Sequence, residues 1–304
     1  MIQPLPIILD CDPGIDDALA LTILAKYKDN FDIRLITTCA GNTPIAITTK
    51  NIQFFANKFF NGVRVAKGIG HAMKKINPEN AEDVHGIGGL GNFSIPEQTY
   101  PYDENAIETM RAVIMHSNEP ITIVALGPLS NIGTLIQTYP EVCHKIAEIH
   151  TMIGSINGIG NIKEYAEFNA YFDPDALDIV TKSGIRMIFN TMETGQLTST
   201  LKTDFTSHPA TGEIADMIKQ IVNGIYEFRD PSKITLFDTN TIMALVHPEL
   251  YNFTPCNVEV HTEEELSGQT IMTENEQGRH AYILPKPECN VTQRIIDEIF
   301  SFGN

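Results

Sequence analysis

Short strand-like apolar runs alternate with helical stretches along the first half of the chain, and this alternation limits the possible folds more than any other feature. Ile7-Ile8-Leu9-Asp10 predicts a first strand, followed after a turn by a helix carrying Ala18, Leu19, Leu21 and Ile23. Residues 33–38 predict a second strand, 45–59 a helix and 63–66 a short strand. The clearest buried strand is 121–126, closed by Gly127-Pro128, and further strands are expected at 149–153 and 185–189. Strands separated by helices in this way build a parallel sheet through right-handed crossovers. The expected fold is therefore α/β, a mostly parallel central sheet with helices on both faces.

Segment 77–96 breaks the rhythm. VHGIGGLGN places four glycines within nine residues and has little periodicity, so it reads as a mobile loop. After Asp238 the pattern predicts a helix, then strands at 258–261, 270–273 and 282–284, then a closing helix over 291–302. No internal repeat, low-complexity tract or linker divides the sequence, so residues 1–304 are expected to form a single domain large enough to bury a substantial core.

Charge narrows the function. Against 21 Lys and Arg stand 38 Asp and Glu, a formal net charge of −17, so nucleic acid and anionic membranes are expected to be repelled over most of the surface. A small neutral ligand or a cation suits such a surface better. Cys11, Cys39, Cys143, Cys256 and Cys289 are scattered and include no C-x-x-C pair, which argues against a disulfide framework or a zinc ribbon and for a reducing, cytoplasmic setting. The N-terminus lacks the basic and long apolar regions of a signal peptide, and no apolar run reaches membrane-spanning length.

Chemistry concentrates in DCDPGIDDALA, where Asp10, Asp12, Asp16 and Asp17 fall within eight residues at the end of the first predicted strand. In open α/β sheets that edge binds ligands. Pro13-Gly14 supplies a tight turn that can aim Asp12 and Asp17 at one point as the next helix starts. Aspartates also cap helices and line solvated turns. Four together after a buried strand would repel one another strongly, which points to a compensating cation. With only oxygen ligands and no nearby His or Cys pair, a hard ion is favoured, and calcium accepts carboxylates and carbonyls most readily.

At these residues the chain resembles the nucleoside hydrolase family, which carries the hallmark Asp-x-Asp-Pro-Gly-x-Asp-Asp. Further family-like motifs follow in order: AGN at 40–42, HGIGGLG at 85–91, ALGPLSN at 125–131, GN at 160–161, AEFNAYFDP at 166–174, and a last aspartate, Asp238. The resemblance implies an open, Rossmann-like core and hydrolysis of the N-glycosidic bond of ribonucleosides. It implies Ca²⁺ held by Asp12, Asp17, Asp238 and the Leu126 carbonyl, with Asp12 also the general base. Asp16, Asn42, Asn161, Glu167 and Asn169 would grip the ribose, whose developing positive charge suits acidic and amide groups, and Asp238 would share in that grip. A homo-oligomer, dimer or tetramer, is implied as well, with a role in nucleoside catabolism and purine or pyrimidine salvage.

The nucleobase end departs from the family pattern. Many members carry His before the last metal aspartate, a residue linked to protonating the leaving base, whereas this chain has Phe237, and it has no tryptophan for stacking purines. Phe237 either fills the core or stacks on the base. His85 is placed by the resemblance in a loop that closes over the base. Tyr226 and Phe228, on an expected helix before Asp238, face the same choice between base contact and core. Two other readings compete: a magnesium-dependent phosphohydrolase with an aspartate nucleophile, which also opens with Asp-x-Asp after a first strand, and a nonenzymatic binder of ribosides or calcium. The first needs a downstream lysine and acidic motif that the ordered motifs fit poorly. The second is opposed by the full set of calcium and water-activating residues.

Overall fold

The computed structural model describes residues 3–74, 79–97, 100–226 and 230–302. Strand β1 (Leu5–Cys11) leads through the Pro13-Gly14 turn into α1 (Ile15–Lys26), then come β2 (Phe31–Thr38), α2 (Ile45–Phe59) and β3 (Val65–Lys67). The short helix α3 (Glu82–His85), α4 (Ala106–His116), β4 (Ile121–Ala125), α5 (Ser130–Thr138) and β5 (Ile146–Met152) follow. Next are α6 (Phe168–Phe172), α7 (Pro174–Lys182), β6 (Met187–Asn190), α8 (Met192–Leu197), β7 (Thr200–Leu201), α9 (Lys202–Thr206) and α10 (Glu213–Asn223). The C-terminal third adds β8 (Lys233–Ile234), α11 (Asp238–Val246), β9 (Tyr251–Val260), β10 (Thr270–Glu274), β11 (His280–Pro285) and α12 (Val291–Phe300).

Nine strands form one sheet in the order β10-β9-β11-β6-β5-β4-β1-β2-β3, parallel from β11 to β3 and antiparallel where β9 pairs with β10 and β11. The parallel strands are apolar on both sides because helices cover both. On one face α1, α2, α10, α11 and α12 pack around Leu9, Ile23 and Ile295; on the other α4, α5 and α7 pack around Ile8, Ile132 and Leu177. Helix α1 is buried almost all round, including Thr22, whose hydroxyl donates to the Ala18 carbonyl at 2.8 Å. Among the described residues no helix is long and apolar enough to cross a membrane.

The strand order reverses at β1: β2 and β3 are laid down on one side, β4 on the other. Such a switch point opens a crevice at the C-terminal ends of the two central strands, and ligands bind there in open α/β sheets. Asp12 directly follows β1, Leu126 directly follows β4, and Asn42 lies four residues beyond the end of β2.

Three expectations need correction. Strand β9 begins at Tyr251, seven residues before the predicted run, because Pro255 does not interrupt it: the Pro255 carbonyl accepts from the Asn275 amide at 2.9 Å on the side away from β11, so the missing N–H costs that pairing nothing. Segment 77–96 contains a helical turn, α3, and within it His85, Gly89 and Leu90 are buried while Ile87 is 81% exposed. Gly91 has φ +58°, and a Cβ there would lie 2.5 Å from the Ile221 carbonyl oxygen and 2.8 Å from Gly224 Cα, so its glycine serves close approach. Tyr226 lies beyond the end of α10, in the segment that follows, and Phe228 lies outside the described residues.

Candidate active site

Asp12 sits deep in the switch-point crevice, buried and held between two glycines. A Cβ at Gly41 would fall 2.0 Å from Asp12 Oδ2, and one at Gly127 2.3 Å from Oδ1, so both positions exclude any side chain. The Asn42 amide donates to Asp12 Oδ2 at 2.7 Å, and the Asn42 side chain donates to the Asp12 carbonyl at 3.1 Å and to Asp17 Oδ2 at 3.0 Å. Asp17 Oδ2 also takes the Gly14 amide at 2.9 Å, closing the first turn of α1. Asn42 thus ties the end of β2 to both aspartates of β1 and α1.

Asp238 arrives from the far end of the sequence as the first residue of α11. Its position is set by Asn190 at the end of β6, which donates to the Phe237 carbonyl at 2.6 Å and to Thr241 Oγ1 at 2.9 Å. Asp16, Asp17 and Asp238 place carboxylate oxygens within 4.8 Å of one another. This trio differs from the expected ligand set: Asp16 is in it, while Asp12 stands beside it, linked to Asp17 through Asn42. Burial, with repulsion between neighbouring aspartates, drives Asp12 and Asp238 well above the usual carboxylate range and Asp17 up to about 6. Asp12 Oδ1 and Asp17 Oδ1 are buried and have no hydrogen-bond partner among the described residues. Two unpartnered anionic oxygens beside a third carboxylate, at the N-terminal ends of α1 and α11, fit a hard divalent cation with oxygen ligands. The Leu126 carbonyl accepts from Asn169 Nδ2 at 3.0 Å and keeps a second lone pair.

The opposite wall is built by residues 154–169. Glu167 caps α6: its carboxylate takes the amides of Gly154 at 2.8 Å, Asn169 at 2.9 Å and Ala170 at 3.1 Å. Burial nonetheless lifts it to about 7, against the lowering effect of those three N–H groups. Asn169 Nδ2 reaches the carbonyls of Leu126 and Met152, locking α6 onto the ends of β4 and β5. Asn161 is more exposed, and its Oδ1 accepts from the Phe168 amide at 2.9 Å.

Between these walls lies a cavity of about 570 Å³, lined by Asp16, Asn42, Leu126, Asn161, Glu167, Asn169 and Asp238 and, toward its mouth, by His85, Tyr226 and Phe237. His85 Nδ1 accepts from the Ile15 amide at 3.0 Å, which leaves the ring proton on Nε2 in the neutral tautomer. Phe237 is half-buried, with its ring edge against Gly195, where a Cβ would lie 2.3 Å from Cδ1. It both packs and lines the cavity. Tyr226 is 46% exposed, and its amide donates to the Val84 carbonyl at 3.1 Å, joining the two mouth segments.

Some contributors carried no usable sequence signal. Met152, Met192 and Gln196 line the cavity without belonging to any motif. Asp10 belongs to the acidic run yet serves the framework: its Oδ1 takes Thr37 Oγ1 at 2.5 Å and Asn131 Nδ2 at 2.8 Å, and burial raises it to about 6. Asn131, inside ALGPLSN, also donates to the Thr38 carbonyl and accepts the Ile69 amide, so that motif fastens β1, β2 and the segment after β3.

Parallel sheet, switch-point cavity and buried carboxylates define a nucleoside hydrolase architecture. The purine-preferring ribonucleoside hydrolase from Gardnerella vaginalis superposes with a TM-score of 0.87 over 98% of both chains at 22% identity, a likeness of fold. In sequence, the chain is 34% identical over 279 residues to the pyrimidine-specific ribonucleoside hydrolase RihA of Salmonella newport, covering 88% of each protein. It is 32% identical to the non-specific ribonucleoside hydrolase RihC of Salmonella paratyphi C over the whole of both. Residues 7–300 match the family model of inosine-uridine preferring nucleoside hydrolases, and the chain belongs to that family.

Proposed function

We propose that the protein hydrolyses the N-glycosidic bond of ribonucleosides, releasing ribose and a free nucleobase. The observation that carries this reading is the pair of buried, unpartnered oxygens of Asp12 and Asp17, behind a cavity of about 570 Å³ whose lining includes Asp16 and Asp238. A divalent ion, calcium by the hardness of its ligands, would be held by Asp12, Asp17, Asp238 and the Leu126 carbonyl, and would supply the charge that acidifies the attacking water and orients the ribose hydroxyls.

The chain's own groups do the rest. Asp12 Oδ1 faces Gly127 with nothing else bound to it, and takes the proton of water as it attacks C1′. Asp16 and Asn42 hold the ribose from the β1–β2 side, Asn161, Glu167 and Asn169 from the other. As the base departs, positive charge spreads over the sugar ring, and the fixed carboxylates and amide oxygens around it stabilise that charge without reorganising. Phe237 offers the base an apolar edge, and His85 Nε2–H and the Tyr226 hydroxyl are the donors in the cavity lining proposed to assist its departure. Among the relatives, one is named for pyrimidine, another for purine and another for no preference, and the base accepted by this chain remains a matter for assay. A cytoplasmic location is supported by the free cysteines and charge balance, and a homo-oligomer by the family resemblance.

The test incubates purified protein with uridine, cytidine, inosine and adenosine, with calcium or with a chelator, and assays free ribose as reducing sugar. Ribose release that the chelator abolishes is expected. Phosphate release from phosphorylated substrates without ribose release would make the protein a phosphohydrolase, and tight riboside binding with no product would make it a binder.

A further inference from the structure

Helices α1 and α11 both start in the active site and run away from it side by side. At their first turns sit Asp16, Asp17 and Asp238, like charges within 4.8 Å. At their far ends, about 15 Å away by helix rise, the two are fastened together again. Lys26 in the last turn of α1 and Tyr27 just beyond it, with His247 capping α11, converge on one carboxylate, Glu298 of α12, which is 2% exposed. Glu298 takes a hydrogen bond from Lys26 Nζ and one from the Tyr27 hydroxyl at 2.9 Å, pairs with Arg294 Nε at 2.8 Å, and lies 3.3 Å from His247 Nε2. Tyr27 and His247 also contact each other directly, the hydroxyl 2.9 Å from Nε2 and the rings edge to face. Burial pushes the Glu298 carboxyl up, but the Lys26 and Tyr27 hydrogen bonds and the Lys26 and Arg294 charges outweigh it and leave it below its ordinary value.

We propose that Glu298 is a positioning residue for the cation site: it clamps the far ends of α1 and α11, so that the carboxylates at their near ends stay gathered despite their repulsion. The inference rests on reading the acidic cluster as a divalent-cation site. Without the clamp, repulsion among Asp16, Asp17 and Asp238 is opposed by packing between the helices and by the local bonds of Asn42, Gly14 and Asn190, and the ion-free site relaxes toward a more open arrangement. Binding must then first draw it together, and affinity falls. Attraction at one end of the helix pair balances repulsion at the other.

The experiment measures calcium affinity by titration calorimetry for wild type, Glu298→Ala, Glu298→Gln, Lys26→Met and Tyr27→Phe, alongside the melting temperature of each ion-free protein. Glu298→Ala is expected to weaken calcium binding by roughly 2- to 30-fold, the size of couplings carried between distant packed sites. Glu298→Gln, which still accepts hydrogen bonds, should restore part of the loss. Lys26→Met and Tyr27→Phe each remove one contact, should weaken binding by a smaller factor, and decide the matter if Glu298→Ala does not fold. Val180→Ala, on α7 across the sheet, is the control: it lowers the melting temperature and should leave calcium affinity in place. Wild-type affinity in the folded clamp variants, with stability alone reduced, would overturn the proposal and leave the cation site standing. Absence of calcium binding in wild type would overturn the cation-site reading, and this proposal with it.

Discussion

The floor of the cavity and its mouth are built by different means. On the floor, Asp12, Asp17, Glu167, Asn169 and Asp238 are buried at the ends of strands or the starts of helices, and all but Asp238 are cross-linked by backbone amides or carbonyls at 2.7–3.1 Å. At the mouth, His85, Tyr226 and Phe237 come from three separate segments: His85 Nδ1 takes the Ile15 amide, the Tyr226 amide donates to the Val84 carbonyl, Gly91 approaches Gly224, and Phe237 lays a ring edge on Gly195 while its carbonyl takes Asn190 Nδ2. On the proposed reading the floor handles ribose, which every nucleoside shares, and the mouth handles the base, which varies. A floor of buried, cross-linked groups and a mouth assembled from separate segments suit that division.

Breaking the floor should therefore cost most, whatever the base. Asp12→Asn keeps the Oδ that accepts the Asn42 amide but removes the base, and kcat should fall by roughly 10²- to 10⁴-fold for every nucleoside tested, with binding retained. Turnover near wild type in a steady-state assay would remove Asp12 from that role. Gly127→Ala touches no functional atom chemically, yet its Cβ would lie 2.3 Å from Asp12 Oδ1 and must displace it. A shift of this kind should lower kcat by about 10²-fold, because reacting groups tolerate little misplacement, and should lower the melting temperature as well, because the buried site is overpacked. Unchanged kinetics would mean that Asp12 is less constrained than its two glycines imply.

Glu167 sharpens the comparison through pH. Its carboxyl is raised to about 7 in the folded protein, so the folded state binds its proton more tightly than the unfolded chain does. Its contribution to stability is then fully present below the ordinary glutamate range and is lost as pH rises through about 7. Catalysis should run the other way, because only the ionised form stabilises a cationic sugar. The expected result is a kcat/KM that climbs through about pH 7 while the melting temperature slips, with both trends flattened and activity reduced by roughly tenfold in Glu167→Gln. Persistence of the same pH limb in that variant would assign it to another group.

This contrast also governs what the sequence disclosed. The floor was legible because an apolar strand ending in Asp-x-Asp-Pro-Gly-x-Asp-Asp must deliver its carboxylates to a sheet edge, and because Gly41 and Gly127 sit inside short motifs. Asp238, more than two hundred residues further on, could not be placed by spacing; the family resemblance placed it, and the bonds from Asn190 account for it. The mouth was illegible for a physical reason. Whether α10 stops before Tyr226 depends on a Gly224 that meets Gly91 across the fold, and a glycine carries no mark of its distant partner. The early start of β9 was illegible as well: a proline is harmless in a strand when its missing N–H faces away from the β11 pairing, as at Pro255, and that side is set by pairing.

The mildest perturbation tests whether the mouth participates in chemistry at all. His85 presents Nε2–H to the cavity because its Nδ1 is occupied by the Ile15 amide, the first residue of α1. Removing the ring outright would also leave that amide without its acceptor and disturb the helix that carries Asp16 and Asp17, so His85→Ala would blur floor and mouth. His85→Asn is cleaner: its side-chain oxygen can take the place of Nδ1 while nothing replaces Nε2–H. With Phe237 unable to donate a proton, departure of a natural base should rely on such residual donors, so His85→Asn is expected to slow uridine and inosine hydrolysis by up to about tenfold, the modest end of general-acid effects because Tyr226 offers a second hydroxyl. p-Nitrophenyl riboside, whose leaving group needs no proton, should be cleaved by wild type well ahead of natural nucleosides and should be spared in the variant. Phe237→His should narrow that gap by restoring a donor beside Asp238. If wild type cleaves activated and natural ribosides at equal rates, base departure is already fully assisted, and the division between a catalytic floor and a base-handling mouth fails at the residue where it is most exposed to test.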